Sequence, residues 1–188
     1  MKNFKSIALA LVVVLSTLSV TAQSKKVDAA NSSINWVGKK VTGQHNGTVN
    51  LKSGTIVFKG KKLAGGTFVV DMTSLTATDL QGEYQGKLNG HLKADDFFGT
   101  EKFPTATLVF KKIATKGANL YAVTADLTIK GITKPVTFDL ATTANAATTK
   151  FNVDRTKYDI KYNSKSFFES IGDKAIYDDF ELEVALKF

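Results

Sequence analysis

Five side chains in this sequence are of types on which chemistry could be built: His45, His91, the neighbours Asp95 and Asp96, and Arg155. Two imidazoles work as an acid/base pair or a metal site only where both reach one point in space. His45 and His91 each lie in a segment without strand alternation, far apart in the chain. Two readings stay open for them: separate hydrogen bonds that pin loops, or joint placement at one mouth of the fold, facing a polar headgroup or a metal. Adjacent carboxylates such as Asp95 and Asp96 point apart, which suits a turn or cap better than general acid/base work on one bond. Arg155 follows Phe151 and Val153 on an inward face. A buried guanidinium must be paired, and Asp71, Asp96, Asp126 and Asp159 are the candidate partners.

Common catalytic patterns are missing. There is no cysteine, hence no thiolate nucleophile and no thiolate metal site. No G-x-S-x-G, H-E-x-x-H, EF-hand or phosphate-loop pattern occurs, and Gly60 to Gly66 has glycines and lysines in the wrong order for a phosphate cradle. Enzyme signals are thus mostly absent, and no metal or cofactor is assigned to the chain.

Charge narrows the partners. Twenty-five basic against 17 acidic residues give a net +8, and Arg155 is the lone arginine. Nucleic-acid surfaces lean on arginine for bidentate contacts, so no nucleic-acid partner is expected. Scattered lysines make a solubilising surface or give weak attraction to an anionic membrane. At the N-terminus, Lys2 and Lys5 precede the apolar run Ile7 to Leu15, and Val20-Thr21-Ala22 fits a signal-peptidase site. The expectation is a signal peptide over 1–22, cleavage after Ala22, and one domain over 23–188. Export without cysteines points to a bacterial envelope protein held by its core.

The elements that must position these residues are mostly strands. Period-two alternation runs through Ser33–Val37, Thr55–Phe58, Phe68–Met72, Thr105–Phe110, Tyr121–Lys130, Val136–Leu140 and Asp179–Phe188. Turns are expected at Gly43–Gly47, Ser53–Gly54, Lys59–Gly66, Lys116–Asn119 and Gly131–Lys134, with a long hairpin tip over Ala141–Lys150. Alternation stops between Thr76 and Pro104: Thr76–Gly86 reads as irregular, and Lys87–Ala94 as a short helix that pairs Leu88 with Leu92. About eight such strands predict an all-β, closed antiparallel barrel with a short helical insertion, wide enough inside for one ligand. Its inward set is rich in Phe, Leu, Val and Ile.

Four stretches then carry a resemblance: Ser33-Ile34-Asn35-Trp36-Val37-Gly38-Lys39-Lys40 with His45-Asn46-Gly47; Phe68 to Leu75; His91-Leu92-Lys93-Ala94-Asp95-Asp96-Phe97-Phe98 followed by Phe103-Pro104-Thr105-Ala106; and Leu127 to Val136. In this order and spacing the chain resembles the YceI family of periplasmic polyisoprenoid- or lipid-binding proteins with a lipocalin-like barrel. It departs at Gly99, where the family often has Asp, and at Arg155-Thr156-Lys157-Tyr158, where the family often has Arg-x-Asp-aromatic-Gly.

The resemblance implies an apolar lumen holding a long isoprenoid or fatty chain. The residues expected to line or cover it are Trp36, Phe58, Phe68, Val70, Met72, Leu88, Leu92, Phe97, Phe98, Leu108, Phe110, Leu127, Ile129, Phe138, Phe151, Phe180 and Leu182, with His45, His91, Asp96 and Arg155 as candidate headgroup contacts. Two rivals stay open: a small outer-membrane barrel, and an enzyme acting on a lipid-like substrate with His45 or His91 as base. A homodimer is equally open.

Overall fold

The computed structural model describes residues 21–168 and 172–188. The expected leader therefore lies almost wholly outside the described residues. In chain order the elements are β1 (Ala22–Lys26), β2 (Ser33–Lys40), β3 (Gly43–Lys59), β4 (Lys62–Ala77), α1 (Gly82–Lys93), β5 (Thr105–Gly117), β6 (Leu120–Ile129), β7 (Ile132–Thr142), β8 (Ala146–Asp154) and β9 (Ile176–Lys187). Short 3-10 turns span Arg155–Tyr158 and Gly172–Lys174.

These strands form one antiparallel sheet in the order β1-β3-β2-β9-β8-β7-β6-β5-β4, closed by a further β3–β4 pairing. β1 and β2 lie in line against successive halves of β3: Lys26 opposite Thr55, then Asn35 opposite Thr48. They share one place in the ring, so nine strands make an eight-position barrel. That is the closed antiparallel barrel expected from the alternation.

The alternation sorts side chains as period two requires. Along β6, Tyr121, Val123, Ala125, Leu127 and Ile129 are buried. The outward positions are polar, and ion pairs cross the outer wall: Lys111–Asp126, Lys116–Asp139 and Lys150–Glu181. A membrane-spanning barrel has the opposite arrangement, apolar outside. Phe188 does not face outward either. Its ring packs 5.9 Å from Phe58, with the Lys25 ammonium 5.1 Å above it. Together with Leu63 and Tyr121 these residues fill one end of the barrel.

Several expected turns are corrected. The one at Gly43–Gly47 sits earlier, at Val41–Thr42. The glycine/lysine loop shrinks to Gly60–Lys61, and Ser53–Gly54 is continuous strand. The glycines do not bend the chain there; they admit neighbours. A Cβ on Gly54 would lie 2.8 Å from the Phe68 ring, and one on Gly66 would lie 2.8 Å from Phe110. Glycine in a strand serves for close approach as well as for turning.

The helix is longer than expected and starts earlier, at Gly82. Gly82 opens it, Gly86 and Gly90 weaken its interior, and Gln81 provides no side-chain cap. Its fixing points are tertiary. Gln85 Nε2 donates to Ala77 O (2.7 Å), Asn89 Oδ1 accepts from Ala77 N (2.8 Å), and Asn89 Nδ2 donates to Thr76 Oγ1 (2.9 Å). These i, i+4 amides satisfy the last backbone groups of β4.

One joint of the wall is thin. β7 and β8 pair only at Ala141–Thr148 and Thr142–Ala147, next to the hairpin tip. Further along they are linked by the Thr149 hydroxyl donating to Asp139 O (2.7 Å) and by the stacked rings of Phe138 and Phe151, 4.6 Å apart.

Candidate functional site

The barrel interior holds two cavities. One, of about 130 Å3, is lined by Trp36, Val49, Met72, Leu75, Ile129 and Phe180, covered by Leu92, Phe97 and Phe98, and bordered by Arg155, Tyr177 and Asp179. The second, of about 90 Å3, is lined by Leu51, Phe68, Leu108, Phe110, Phe138, Leu140, Phe151 and Leu186. Both share Ile34, Val70, Ala106, Leu127 and Leu182. They are neighbouring apolar chambers of the barrel interior, adjoining at a waist formed by these five residues.

All the expected apolar residues line one chamber or the other except two. Phe58 is spent on the Phe188 plug at the closed end, and Leu88 packs against the core from α1 without reaching either cavity. Sequence alternation cannot tell how deep along the barrel an inward residue lies, so from sequence Phe58 looks like a lumen residue. Ile34, Val49, Ala106 and Leu140 also line it. Alternation marked Ile34, Ala106 and Leu140 as inward, but only the three-dimensional register puts them against space.

The cover is built by the segment that interrupts the strands. After α1 the chain folds back on itself: Phe98 N donates to Leu92 O (3.1 Å) and Gly99 N to Ala94 O (2.8 Å). Gly99 has φ +55°, a left-handed conformation that costs glycine little. This turn sets the Phe97 and Phe98 rings 5.4 Å apart at a tilt of 58° and places Phe98 edge-on to Phe180 at 6.1 Å. Asp95 serves the turn: its carboxylate pairs with Lys102, and its carbonyl accepts from Lys130 Nζ (2.9 Å).

Of the four candidate polar contacts, Arg155 alone borders the lumen. It begins the 3-10 turn rather than continuing β8, and it is 2% exposed. Its Nε donates to Tyr177 O (3.1 Å), Nη1 to Ile160 O (2.8 Å) and Nη2 to Ile176 O (3.1 Å). The nearest carboxylate is Asp178, 3.7 Å from Nη2, not one of the four expected partners. Burial lowers the Arg155 pKa, and Asp178 and Asp154 oppose that shift. The guanidinium is a clamp joining the 3-10 turn to the start of β9, and its cationic face lies 5.8 Å from the Phe97 ring centroid.

The histidines do not meet. His45 Nδ1 bonds Asp79 Oδ2 at 2.8 Å, tying the start of β3 to the chain beyond β4. Burial pushes the Asp79 carboxyl up, but its bonds to His45 and to the Asn46 N–H outweigh this and hold it below the usual range. His91, at the end of α1, has Asp96 3.6 Å from Nε2 and lies between the Phe97 ring (5.5 Å) and the Tyr162 ring (4.4 Å). Neither histidine lines a chamber, nor does Asp96. Among the described residues no cluster of three His, Asp or Glu side chains could hold a metal ion.

Comparison with known proteins agrees with this architecture. The Burkholderia cenocepacia protein BcnA superposes with a TM-score of 0.67 at 24% identity, covering 86% of this chain and 99% of that one. A polyisoprenoid-binding domain from Saccharophagus degradans superposes with a TM-score of 0.58 at 16% identity, covering 86% and 95%. At these identities the likeness is one of fold. In sequence, a Shewanella denitrificans UPF0312 protein is 34% identical over 91 residues, which is 48% of this chain and 46% of that protein. Protein YceI of Escherichia coli is 34% identical over 93 residues, 50% of this chain and 46% of that one. The chain spans about half the length of the curated relatives it matches. The YceI-like domain pattern itself matches residues 26–188, and the chain belongs to that family.

Proposed function

We propose that this protein is a soluble lipid carrier of the bacterial envelope, holding one long apolar chain of the isoprenoid or fatty class in the barrel lumen. The two adjoining apolar chambers with their phenylalanine cover carry this reading. Each buried methylene contributes about 0.8 kcal/mol, so ten supply roughly 8 kcal/mol before the costs of ordering. A ligand held that way needs few polar anchors, in keeping with a lumen whose polar border is Arg155, already committed to carbonyls, with Tyr177 and Asp179. The polyisoprenoid-binding description of the Saccharophagus domain supports the ligand class. The basic, then apolar N-terminus with its small-residue site supports export to the periplasm, and no helix among the described residues is long and apolar enough to cross a membrane.

Catalysis has little support. A general base must stand within hydrogen-bond reach of a bound substrate, and both histidines lie outside the lumen. Native mass spectrometry of the purified protein, with solvent extraction of what it carries, tests the reading. The expected result is a co-purifying long-chain lipid, or saturable uptake of prenyl quinones or fatty acids, unchanged and unconverted in His91→Ala. A protein that is empty and takes up none of these overturns it.

A further inference from the structure

Among the described residues, the exposed large apolar side chains other than Tyr84 on α1 gather at one end of the barrel, the end that carries the lumen cover. Phe167 is 49% exposed, Phe168 52% and Tyr177 54%, with Tyr162 and Val41 beside them. Backbone hydrogen bonds hold them together: Phe167 N and Phe168 N donate to Ser164 O, Ile176 N donates to Asn163 O, and Val41 N donates to Ala175 O. An exposed Phe–Phe pair on a soluble protein needs a reason, because water contact disfavours it and packing does not require it there.

Several lysines accompany the aromatics. Lys161 places its ammonium 5.1 Å from the Phe167 ring, and Lys165, Lys174, Lys39 and Lys40 lie on the same segments. Of the acids on these segments, Asp159 pairs with Lys161 at 2.8 Å and Asp178 accepts from the Ser166 hydroxyl, while Asp173 and Asp179 lie beside them and temper the positive charge. Phenylalanine and tyrosine tips ringed by long amines suit the boundary between lipid headgroups and acyl chains, where rings insert and ammonium groups reach the phosphates.

The patch is continuous with the lumen. Tyr177 both lines the larger chamber and reaches solvent, and the Tyr162 ring bridges to His91 and, at 6.5 Å, to the cover residue Phe97. We propose that Tyr162, Phe167, Phe168 and Tyr177, with the flanking lysines, form a docking surface for an anionic phospholipid membrane. It seats the mouth of the barrel on the bilayer, where a lipid passes between membrane and lumen. The docking rests on the exposed patch; its purpose rests on the carrier reading.

Flotation with vesicles of phosphatidylcholine plus phosphatidylglycerol, against phosphatidylcholine alone, tests it on the full protein. Wild type floats with the anionic vesicles and is released by salt. F167S/F168S loses roughly tenfold in partitioning, and K165E/K174E loses the preference for anionic vesicles. Both variants keep the wild-type melting temperature and the wild-type affinity for a dansyl-labelled fatty acid, because the substituted side chains are outside the lumen. Transfer of that probe to anionic vesicles slows in F167S/F168S. Wild type that fails to float, or variants that float and transfer equally well, overturns the proposal. So does a concentration-dependent dimer, abolished by F167S/F168S, in protein that ignores vesicles: the patch then belongs to a second copy. Vesicle binding by a protein that never takes up the probe upholds the docking surface and removes the carrier reading instead.

Discussion

At the scale of single residues, the side chain most suggestive of ligand chemistry has a structural task. Arg155 holds three carbonyls and faces Asp178 from a site with almost no solvent. Arg155→Met is expected to cost about 3–5 kcal/mol in urea unfolding, because it strands those acceptors and a half-buried carboxylate. Tyr158 is 1% exposed and its hydroxyl has no hydrogen-bond partner in the structure. Burial, aided by Asp154, pushes the phenol up to about 12. In the unfolded chain it ionises near its ordinary 10. Its contribution is therefore fully present below pH 10 and lost as pH rises towards 12, a change of up to about 2–3 kcal/mol. Tyr158→Phe removes that part of the alkaline loss, so the stability difference between variant and wild type should grow over this window in pH-dependent unfolding. The sequence showed that Arg155 must be paired. It could not show with what, since its partners are backbone carbonyls that any residue could supply.

At the scale of elements, strands were far more legible than their ends. Alternation follows from the pleat alone, so β6 and β9 read directly from Tyr121–Ile129 and Phe180–Phe188. Glycines misled, because Gly54 and Gly66 sit inside strands for reasons of packing that sequence spacing does not carry. Gly47 is the sharpest case: a Cβ there would lie 1.9 Å from Thr76 O and 2.7 Å from the Trp36 ring, whereas at Gly38 the nearest atom is 4.0 Å away. Gly47→Ala is expected to destabilise by about 3 kcal/mol or more and Gly38→Ala by less than about 1 kcal/mol, measured by thermal unfolding. Helix α1 was half missed for a related cause. Its first turns have poor propensity and are fixed by Gln85 and Asn89 to β4, across a gap in sequence that no local pattern spans.

At the scale of the whole molecule, the lumen consists of two chambers that adjoin at a waist including Ala106, Val70 and Leu127. The inward residues were legible as a set, but not the division, which depends on how staggered strands bring small and large side chains level. Ala106→Phe should plug the waist. Affinity for long prenyl or acyl chains is expected to fall at least tenfold, while chains short enough for the covered chamber alone lose much less; titration across a chain-length series reads this directly. A uniform loss at all lengths would mean the chambers do not act in series.

The β7–β8 joint gives the barrel a margin as well as a wall. Elsewhere the circumference is set by ladders of hydrogen bonds that lengthen very little. Beyond Ala141–Thr148 it is set by one hydroxyl bond and one ring stack. Parting Phe138 from Phe151 forfeits about 0.5–1.5 kcal/mol, less than breaking a row of ladder bonds elsewhere. The molecule is in this respect a rolled sheet with an adjustable girth, able to widen for a thicker guest along one line without unfolding. An open margin also invites pairing with another chain, and Lys134 and Pro135 on β7 are the kinds of residue that discourage it. Amides of β7 that point away from β6 should exchange with solvent well before those between β5 and β6, and a bound lipid of greater girth should quicken them further.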